Sequence, residues 1–490
     1  MSKPLLCVTV TAPTTAELRA GRDGVEDADL VELRLDSVRD PNVAGALAGR
    51  RRPVIVTCRP TWEGGGFAGS EEERHALLAE ALALGAEYVD IEWQARFGDL
   101  VERSGGRRIV LSSHDFTGVP ADLAARVQAM RESGAEVVKV AVTTSCLCDC
   151  LPLLELGSQV GRQSGLVLIG MGPHGVSTRV LAGRFGSKWT YVGGLAEVGQ
   201  PAPAELADEY RFRNISDSTE VYGLVGAPIG HSVSPAMHNA AFRATRLDAV
   251  YLPLPARDAD DFRRFGRAIG LKGASVTTPF KVALFERSDE VYSVARRIGA
   301  INTIRVQDGR WLGANTDASG FLEVIRGKIP LEQLRASLLG AGGAARAVAV
   351  ALASAGAEVT VHAREARRAE DVAMLVGGRV GPWPPARGSW DLLVNCTPIG
   401  MFPSAGASPI DRADLTGPMV YDLVYNPPVT QLLRDAAAAG CQTIGGLEML
   451  VGQAQEQFQW WTDVRPPAGV MREAALRRLA EFMRDENHLV

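Results

Sequence analysis

The chain has 490 residues, 46% hydrophobic and 22% charged, with a formal net charge of −5. That length exceeds one ordinary domain, and the composition is that of a globular protein. The acidic balance argues against a nucleic-acid partner, and no uninterrupted apolar run reaches the ~18 residues of a membrane span.

The N-terminus, Met1-Ser2-Lys3-Pro4, leads straight into a short apolar run rather than the long apolar core of a signal peptide. Runs rich in Val, Ile and Leu follow at 5–10, 30–36, 53–59, 88–93, 108–116, 137–144, 166–172 and 189–194. Stretches of helical spacing, such as 71–84 and 121–133, separate most of them. Continuously apolar strands alternating with helices predict a parallel sheet covered on both faces. Eight such units in about 210 residues predict a (β/α)8 barrel at the short end of its usual size, and residues 1–214 are assigned to it. The pattern resets in the polar stretch 211–220. A strand at 221–226 then opens a βαβ series to about 317. A further βα series has strands at 337–339, 358–362, 392–395, 420–423 and 442–444, with a Pro/Gly-rich loop at 381–388. Long amphipathic helical stretches run from 446 to 489. The fold class is therefore α/β throughout.

Of the 52 basic residues only six are lysines: Lys3, Lys139, Lys188, Lys272, Lys281 and Lys328. Arginine serves wherever either will do, so the remaining lysines concentrate where arginine fails. Arginine cannot lose its proton and so cannot be an amine nucleophile. Lys139 and Lys281 are candidates on this ground alone.

In a barrel of this kind the site is built at the C-terminal ends of the strands. Those ends carry Glu32, Arg34 and Asp36; Arg59 with Glu63-Gly64-Gly65; Asp90 and Glu92; His114; Lys139; Arg179; and Gln200. Lys139 lies in Val-Val-Lys-Val-Ala-Val. There it is either buried and neutral at reduced pKa, ready for carbonyl attack, or paired with a carboxylate such as Glu92. His114 supplies an imidazole that moves protons near neutral pH, and Glu63 is placed to orient it. Arg34, Arg59 and Arg179 suit a carboxylate and hydroxyls.

These motifs, in order and at strand ends, resemble type I 3-dehydroquinate dehydratase over roughly residues 5–210: Glu32-Leu-Arg34-Leu-Asp36, Thr57-Cys-Arg59 with Glu63-Gly-Gly, Ser113-His114-Asp115-Phe116, Lys139 and Gly175-Val-Ser-Thr-Arg179. The resemblance implies dehydration of 3-dehydroquinate to 3-dehydroshikimate through an imine on Lys139. His114 would move the proton and Arg179 would hold the substrate carboxylate. Glu32, Arg34, Arg59 and Gln200 would bind the substrate with it. The family's loop after the eighth strand has Ser or Thr four residues before its Gln; here Ala196 stands there, which implies weaker closure over the substrate.

Cys146, Cys148 and Cys150 cluster, but their spacing is not that of a zinc site, and no metal is expected. Seven cysteines, an odd count in a long chain, point to a reducing, cytoplasmic setting.

In the second half, Ser337-Leu-Leu-Gly340-Ala341-Gly342-Gly343-Ala344-Ala345 joins a strand, a glycine loop and an Ala-rich helix without a gap. Such a turn lets a pyrophosphate approach the helix N-terminus, and so predicts a dinucleotide site. The next strand ends at Val361-His362-Ala363-Arg364, with Arg367 and Arg368 behind it. A basic end suits the 2′-phosphate of NADP; a solvated charge run tempered by Glu365 is the alternative.

Gly230-His231-Ser232-Val-Ser234-Pro235, Val276-Thr277-Thr278-Pro279-Phe280-Lys281, Gly299-Ala300-Ile-Asn302-Thr303 and Asn315-Thr316-Asp317 resemble shikimate dehydrogenase. So do Asn395-Cys-Thr397, Tyr425-Asn-Pro and Gly446-Leu-Glu-Met-Leu-Val-Gly-Gln453. The resemblance covers about residues 221–490. It implies a substrate-binding domain at 219–318, a Rossmann-type NADP domain at 319–445, and C-terminal helices at 446–490 packing back on the substrate domain. Lys281 and Asp317 would form the catalytic pair. Ser232, Ser234, Thr277, Asn302, Tyr425 and Gln453 would hold the substrate. Gly340–Ala344, Arg364, Arg368, Leu423 and Gly446 would line the cofactor. Ala363 and Glu365 depart from the family, which has Asn and Thr beside the arginine.

The expectation is one polypeptide for two successive steps: dehydration of 3-dehydroquinate, then NADPH-dependent reduction of 3-dehydroshikimate to shikimate. The alternatives are an oxidative quinate/shikimate dehydrogenase in the second half, which an acidic residue at 364 would have favoured, and one half serving as an inactive regulatory module.

Overall fold

The computed structural model describes residues 3–160, 165–193 and 199–487. The chain divides into two compact units: Met1–Thr219 with Leu252–Ile269, and Glu220–Tyr251 with Gly270–Val490.

In the first unit eight strands follow one another: β1 (Leu5–Val10), β2 (Leu30–Arg34), β3 (Val54–Thr57), β4 (Tyr88–Glu92), β5 (Ile109–Asp115), β6 (Val137–Thr143), β7 (Leu166–Met171) and β8 (Trp189–Gly193). Each pairs in parallel with the next from β1 to β7, and β1 also pairs with β8. A parallel bridge between Leu166 and Ser187 brings β7 to the residues entering β8. The result is the expected eight-stranded barrel. Its strands are buried on both faces because helices cover the outside. Helix Glu71–Ala83 is started by a capping box, in which Ser70 and Glu73 satisfy each other's backbone N–H groups. That entry directs Arg74 of its first turn onto Glu92 at the end of β4. The run expected as strand to 36 stops at Arg34 and tightens into a turn at Leu35–Ser37.

A second sheet contains β9 (Glu220–Gly226), β10 (Ala249–Pro255), β11 (Leu271–Val276), β12 (Glu290–Val291), β13 (Thr303–Gln307) and β14 (Arg310–Ala314), in the order β10-β9-β11-β13-β14-β12. A pure βαβ series was expected here. Instead β13 and β14 form an antiparallel hairpin, and β13 also runs antiparallel to β11. Its two-residue turn, Asp308-Gly309, has φ of 50° and 75°, the left-handed pair that matches hairpin twist.

The third sheet is entirely parallel: β15 (Arg335–Leu339), β16 (Glu358–His362), β17 (Arg379–Val380), β18 (Leu392–Asn395), β19 (Met419–Asp422) and β20 (Gln442–Ile444), ordered β17-β16-β15-β18-β19-β20. Numbered within the sheet this is 3-2-1-4-5-6, the Rossmann order. Helices Leu447–Thr462 and Val470–Asn487 follow. Their Phe458, Trp461, Met471 and Leu479 share a core with Tyr222, Met237 and Phe242 around the second sheet. No helix among the described residues is long and apolar enough to cross a membrane.

Candidate active sites

Glu32, Arg34, Arg59, Glu63, His114, Lys139, Arg179 and Gln200 line one cavity at the C-terminal ends of the barrel strands, with Ile169, Met171 and Tyr191 among its apolar walls. Parallel strands of similar length bring these residues together although they are spread over nearly 170 positions of sequence.

Lys139 is buried, but its amine is not alone. Its Nζ lies 3.1 Å from Asp90 Oδ2 and 3.7 Å from Glu32 Oε1. It also sits 4.3 Å from the centre of the Tyr191 ring, whose face attracts a cation. The partner is Asp90 rather than Glu92. Glu92 is taken by Arg59, at 2.6 Å, and by Arg74. Burial pushes the Asp90 carboxyl up, but Arg59 and Lys139 outweigh it and hold it well below the usual range. Glu32 is fixed by the hydroxyls of Thr9 and Thr57, each at 2.9 Å.

Glu63 Oε1 accepts the backbone N–H of His114 at 2.6 Å and lies 3.4 Å from its Nδ1. Burial raises the Glu63 carboxyl to about 7 against the pull of Arg59 and that N–H. Burial, with Arg59 and Lys139 nearby, lowers the His114 imidazole well below its ordinary value, so it is neutral and able to accept a proton. The Gly-Gly after Glu63 has a steric cause: a Cβ on Gly65 would lie 2.1 Å from the Arg59 carbonyl oxygen. Arg179 is buried on the short helix Val176–Val180, and burial lowers its guanidinium to about 10. Arg34 is held by both oxygens of Asp36, each at 2.8 Å. Gln200 Nε2 reaches Thr9 Oγ1 at 3.5 Å; Ala196 lies outside the described residues. Asp90 was visible in sequence as a charge in an apolar strand but had no role, and nothing singled out Tyr191.

The Cys146–Cys150 segment is held by carboxylates. Asp149 accepts from the backbone of Ser145 and Cys146, and Asp261 from Leu147 and Cys148. Burial and these acids raise Cys146 to about 11 and Cys148 to about 12, so both stay protonated thiols. Among the described residues no group of three or more His, Cys, Asp and Glu is placed to hold a metal ion.

In the second unit Lys281, on helix Phe280–Glu286, is ion-paired with Asp317, which opens helix Asp317–Ile325. Asn302 Nδ2 donates to Asp317 Oδ1 at 2.8 Å and to Gln453 Oε1 at 3.1 Å. Asn302 Oδ1 accepts the Thr316 N–H at 2.8 Å. The Ser232 hydroxyl oxygen accepts the N–H of Ser234 at 3.2 Å, and burial pushes the Tyr425 hydroxyl above its ordinary value. Thr277 stands at the end of β11, its N–H bonded to Val225.

The glycine loop closes on this pair. A Cβ on Gly343 would lie 3.0 Å from Lys281 Cδ. Gly340 has φ +108°, and a Cβ there would press on Thr397 and Cys396. No side chain caps helix Gly343–Ser354, and nothing lies within 4 Å of the Cβ position of Gly342. The helix start is thus left without a side-chain cap and with room beside Gly342, a setting that suits a pyrophosphate. A Cβ on Gly446 would lie 2.2 Å from the carbonyl oxygen of Leu423, so these two expected cofactor residues touch. Arg364 is exposed past the end of β16, and Arg368 pairs with Glu365 at 2.9 Å on the surface. The loop, its open helix end and the basic strand end fit a phosphorylated dinucleotide.

Three family models match the chain: type I 3-dehydroquinase over residues 6–217, the shikimate dehydrogenase substrate-binding domain over 224–304, and the shikimate 5'-dehydrogenase C-terminal domain over 446–476. The chain is 33% identical to the chloroplastic bifunctional 3-dehydroquinate dehydratase/shikimate dehydrogenase of Arabidopsis thaliana, across 94% of this chain and 83% of that protein. It is 40% identical to the shikimate dehydrogenase (NADP(+)) of Methanothermobacter thermautotrophicus, across 54% of this chain and 99% of that one. A solved shikimate dehydrogenase in complex with NADP+ is similar with a TM-score of 0.51 and 33% identity, covering 54% of this chain and 97% of its own.

Proposed function

Since the chain belongs to the family of bifunctional 3-dehydroquinate dehydratase/shikimate dehydrogenases, we infer that it dehydrates 3-dehydroquinate to 3-dehydroshikimate and reduces that product to shikimate with NADPH. The observation that carries this reading is that each unit places a lysine among the residues its reaction needs: Lys139 in the barrel cavity, Lys281 against the glycine loop.

In the first unit Arg179 and Gln200 hold the substrate, with Arg34, Arg59 and Glu32 positioning it. Lys139, ion-paired with Asp90, passes a proton to the neutral His114 and attacks the ketone; His114 returns that proton to the departing hydroxyl, so water leaves and a protonated imine remains. The imine draws electrons from the neighbouring carbon, so the neutral His114 takes the proton there and returns one to the departing hydroxyl. Glu63, once ionised, keeps the imidazole in place and stabilises it when charged. Hydrolysis of the imine restores the amine.

In the second unit Gly340–Ala344 would hold the pyrophosphate of NADPH and Arg364 and Arg368 its 2′-phosphate, and the cofactor would supply the hydride. Leu423 and Gly446 complete the cofactor wall. Ser232, Ser234, Thr277 and Tyr425 engage the substrate on one side, and Asn302 and Gln453 on the other. The Lys281 ammonium, held by Asp317, stabilises the developing alkoxide and passes it a proton. The seven free thiols suit a reducing compartment such as the cytoplasm.

Supplying the purified chain with 3-dehydroquinate and NADPH should consume NADPH and yield shikimate. Lys281→Ala should stop NADPH consumption while 3-dehydroshikimate still forms and NADPH still binds. A Lys281→Ala chain that consumes NADPH at the parent rate refutes the role given to Lys281.

A further inference from the structure

We propose that Tyr251 and Ser275 are positioning residues of the dehydrogenase: they supply the donor that holds the Gln457 amide in a buried hydrogen-bond chain ending on Asn302 and Gln453. The proposal rests on the reading that those two amides hold the substrate.

The chain is continuous. The Tyr251 hydroxyl lies 2.7 Å from Ser275 Oγ, and Ser275 Oγ lies 2.6 Å from Gln457 Oε1. Gln457 Nε2 lies 2.6 Å from Gln453 Oε1 and 3.1 Å from the Asn302 carbonyl oxygen. Asn302 Nδ2 completes the path to Gln453 Oε1 and Asp317 Oδ1. Tyr251, Ser275, Asn302, Gln453 and Gln457 are all buried.

An amide can be seated two ways, so each orientation needs an anchor that only donates or only accepts. Asn302 is fixed at both ends: the Thr316 N–H can only donate to it, and the Asp317 carboxylate, ion-paired with Lys281, accepts from it. Gln457 faces the Asn302 carbonyl, which can only accept, so its nitrogen belongs there and its oxygen faces Ser275. Ser275 must then donate, and its lone pair receives the Tyr251 O–H. Gln453 takes two N–H groups on its oxygen and spends one of its own on the Leu450 carbonyl at 3.0 Å. The second N–H of Gln453 is left for the site. Gln453 therefore meets its ligand as a donor.

Tyr251 is a firm far end for this chain. Its backbone N–H and C=O are both held by the Asn239 side chain, at 2.8 and 2.9 Å. Its ring stacks on His238 at 4.4 Å with planes 13° apart. Removing the Ser275 hydroxyl leaves the Gln457 oxygen buried without its donor. Turning that amide over would set oxygen against oxygen at Gln453.

The test uses the full-length chain and shikimate oxidation with NADP+. Ser275→Ala should raise the KM for shikimate about tenfold, the worth of one neutral buried hydrogen bond, and Tyr251→Phe, which deletes one oxygen, about threefold. The KM for NADP+ and the dehydratase kcat/KM of the same preparation should stay within about twofold. Ser275→Thr, which restores the hydroxyl, should restore the shikimate KM. In a Gln453→Ala background Ser275→Ala should add less than about twofold, because its effect passes through Gln453. If both Ser275→Ala and Tyr251→Phe leave the shikimate KM at the parent value, or if the Ser275 and Gln453 effects multiply in full, the proposal is overturned. If Gln453→Ala itself leaves the shikimate KM unchanged, the substrate-holding reading has failed, and the proposal falls with it.

Discussion

The amine of Lys139 lies 3.1 Å from a carboxylate oxygen of Asp90, and Asp90 in turn lies 3.0 Å from Arg59. One buried acid thus anchors both the expected nucleophile and an expected substrate-binding arginine. Asp90→Asn removes the charge and keeps the shape, so Lys139 and Arg59 would face each other with one counter-charge fewer. Removing one partner of a buried ion pair costs roughly 3–5 kcal/mol. The barrel should therefore unfold at lower denaturant, and dehydratase kcat/KM should fall by at least about a hundredfold. Shikimate dehydrogenase activity, measured on the same preparation, should hold. Unchanged dehydratase activity would remove Asp90 from the site.

Glu63 gives the dehydratase a titration near neutrality. Its carboxyl is raised to about 7 in the folded chain from an ordinary 4.5. The folded state thus holds this proton more tightly than the unfolded state. The associated stability is complete below about pH 4.5 and is lost as pH rises through 7, on the order of 3 kcal/mol at most. Activity runs the other way, because only ionised Glu63 supports an imidazolium at His114. The dehydratase rate should climb from pH 6 to 8 with a midpoint near 7. Glu63→Gln should lower the rate and flatten that limb; a limb that persists in Glu63→Gln belongs to another group.

Most of the barrel site was legible because its residues sit where topology puts chemistry, at the ends of parallel strands. Which acid pairs with Lys139 was not. Asp90 and Glu92 are two apart, so they share a face of β4, and only their depth in the barrel sorts Asp90 to Lys139 and Glu92 to Arg74. The β13–β14 hairpin carried its signal in Asp308-Gly309, but that signal lay within a stretch read by strand-helix alternation. The inclusion of Leu252–Ile269 in the first unit had no local signal. It depends on contacts such as Asp261 with the Leu147 and Cys148 N–H groups, more than 100 residues apart. The buried chain from Tyr251 to Gln453 was hidden for the same reason, since its members come from β10, β11, helix Leu447–Thr462 and, at Asn302, the residue before β13.

Cofactor preference should rest on Arg364 more than on Arg368, whose guanidinium is already shared with Glu365. One charge-assisted contact to an exposed phosphate is worth about tenfold in affinity once solvent screening is allowed for. Arg364→Ala should raise the KM for NADP+ by about that factor and leave the KM for NAD+ nearly unchanged. Arg368→Ala should do less. Equal effects of both variants, or an equal rise for NAD+, would place the 2′-phosphate elsewhere.

Imine formation on Lys139 is the claim on which the first reaction stands, and six lysines make it simple to map. Borohydride added to the chain with 3-dehydroquinate should stop dehydratase activity and leave a reduced adduct on the peptide carrying Lys139, absent from Lys139→Ala. An adduct on another lysine, or full activity with no adduct after treatment, would contradict the account.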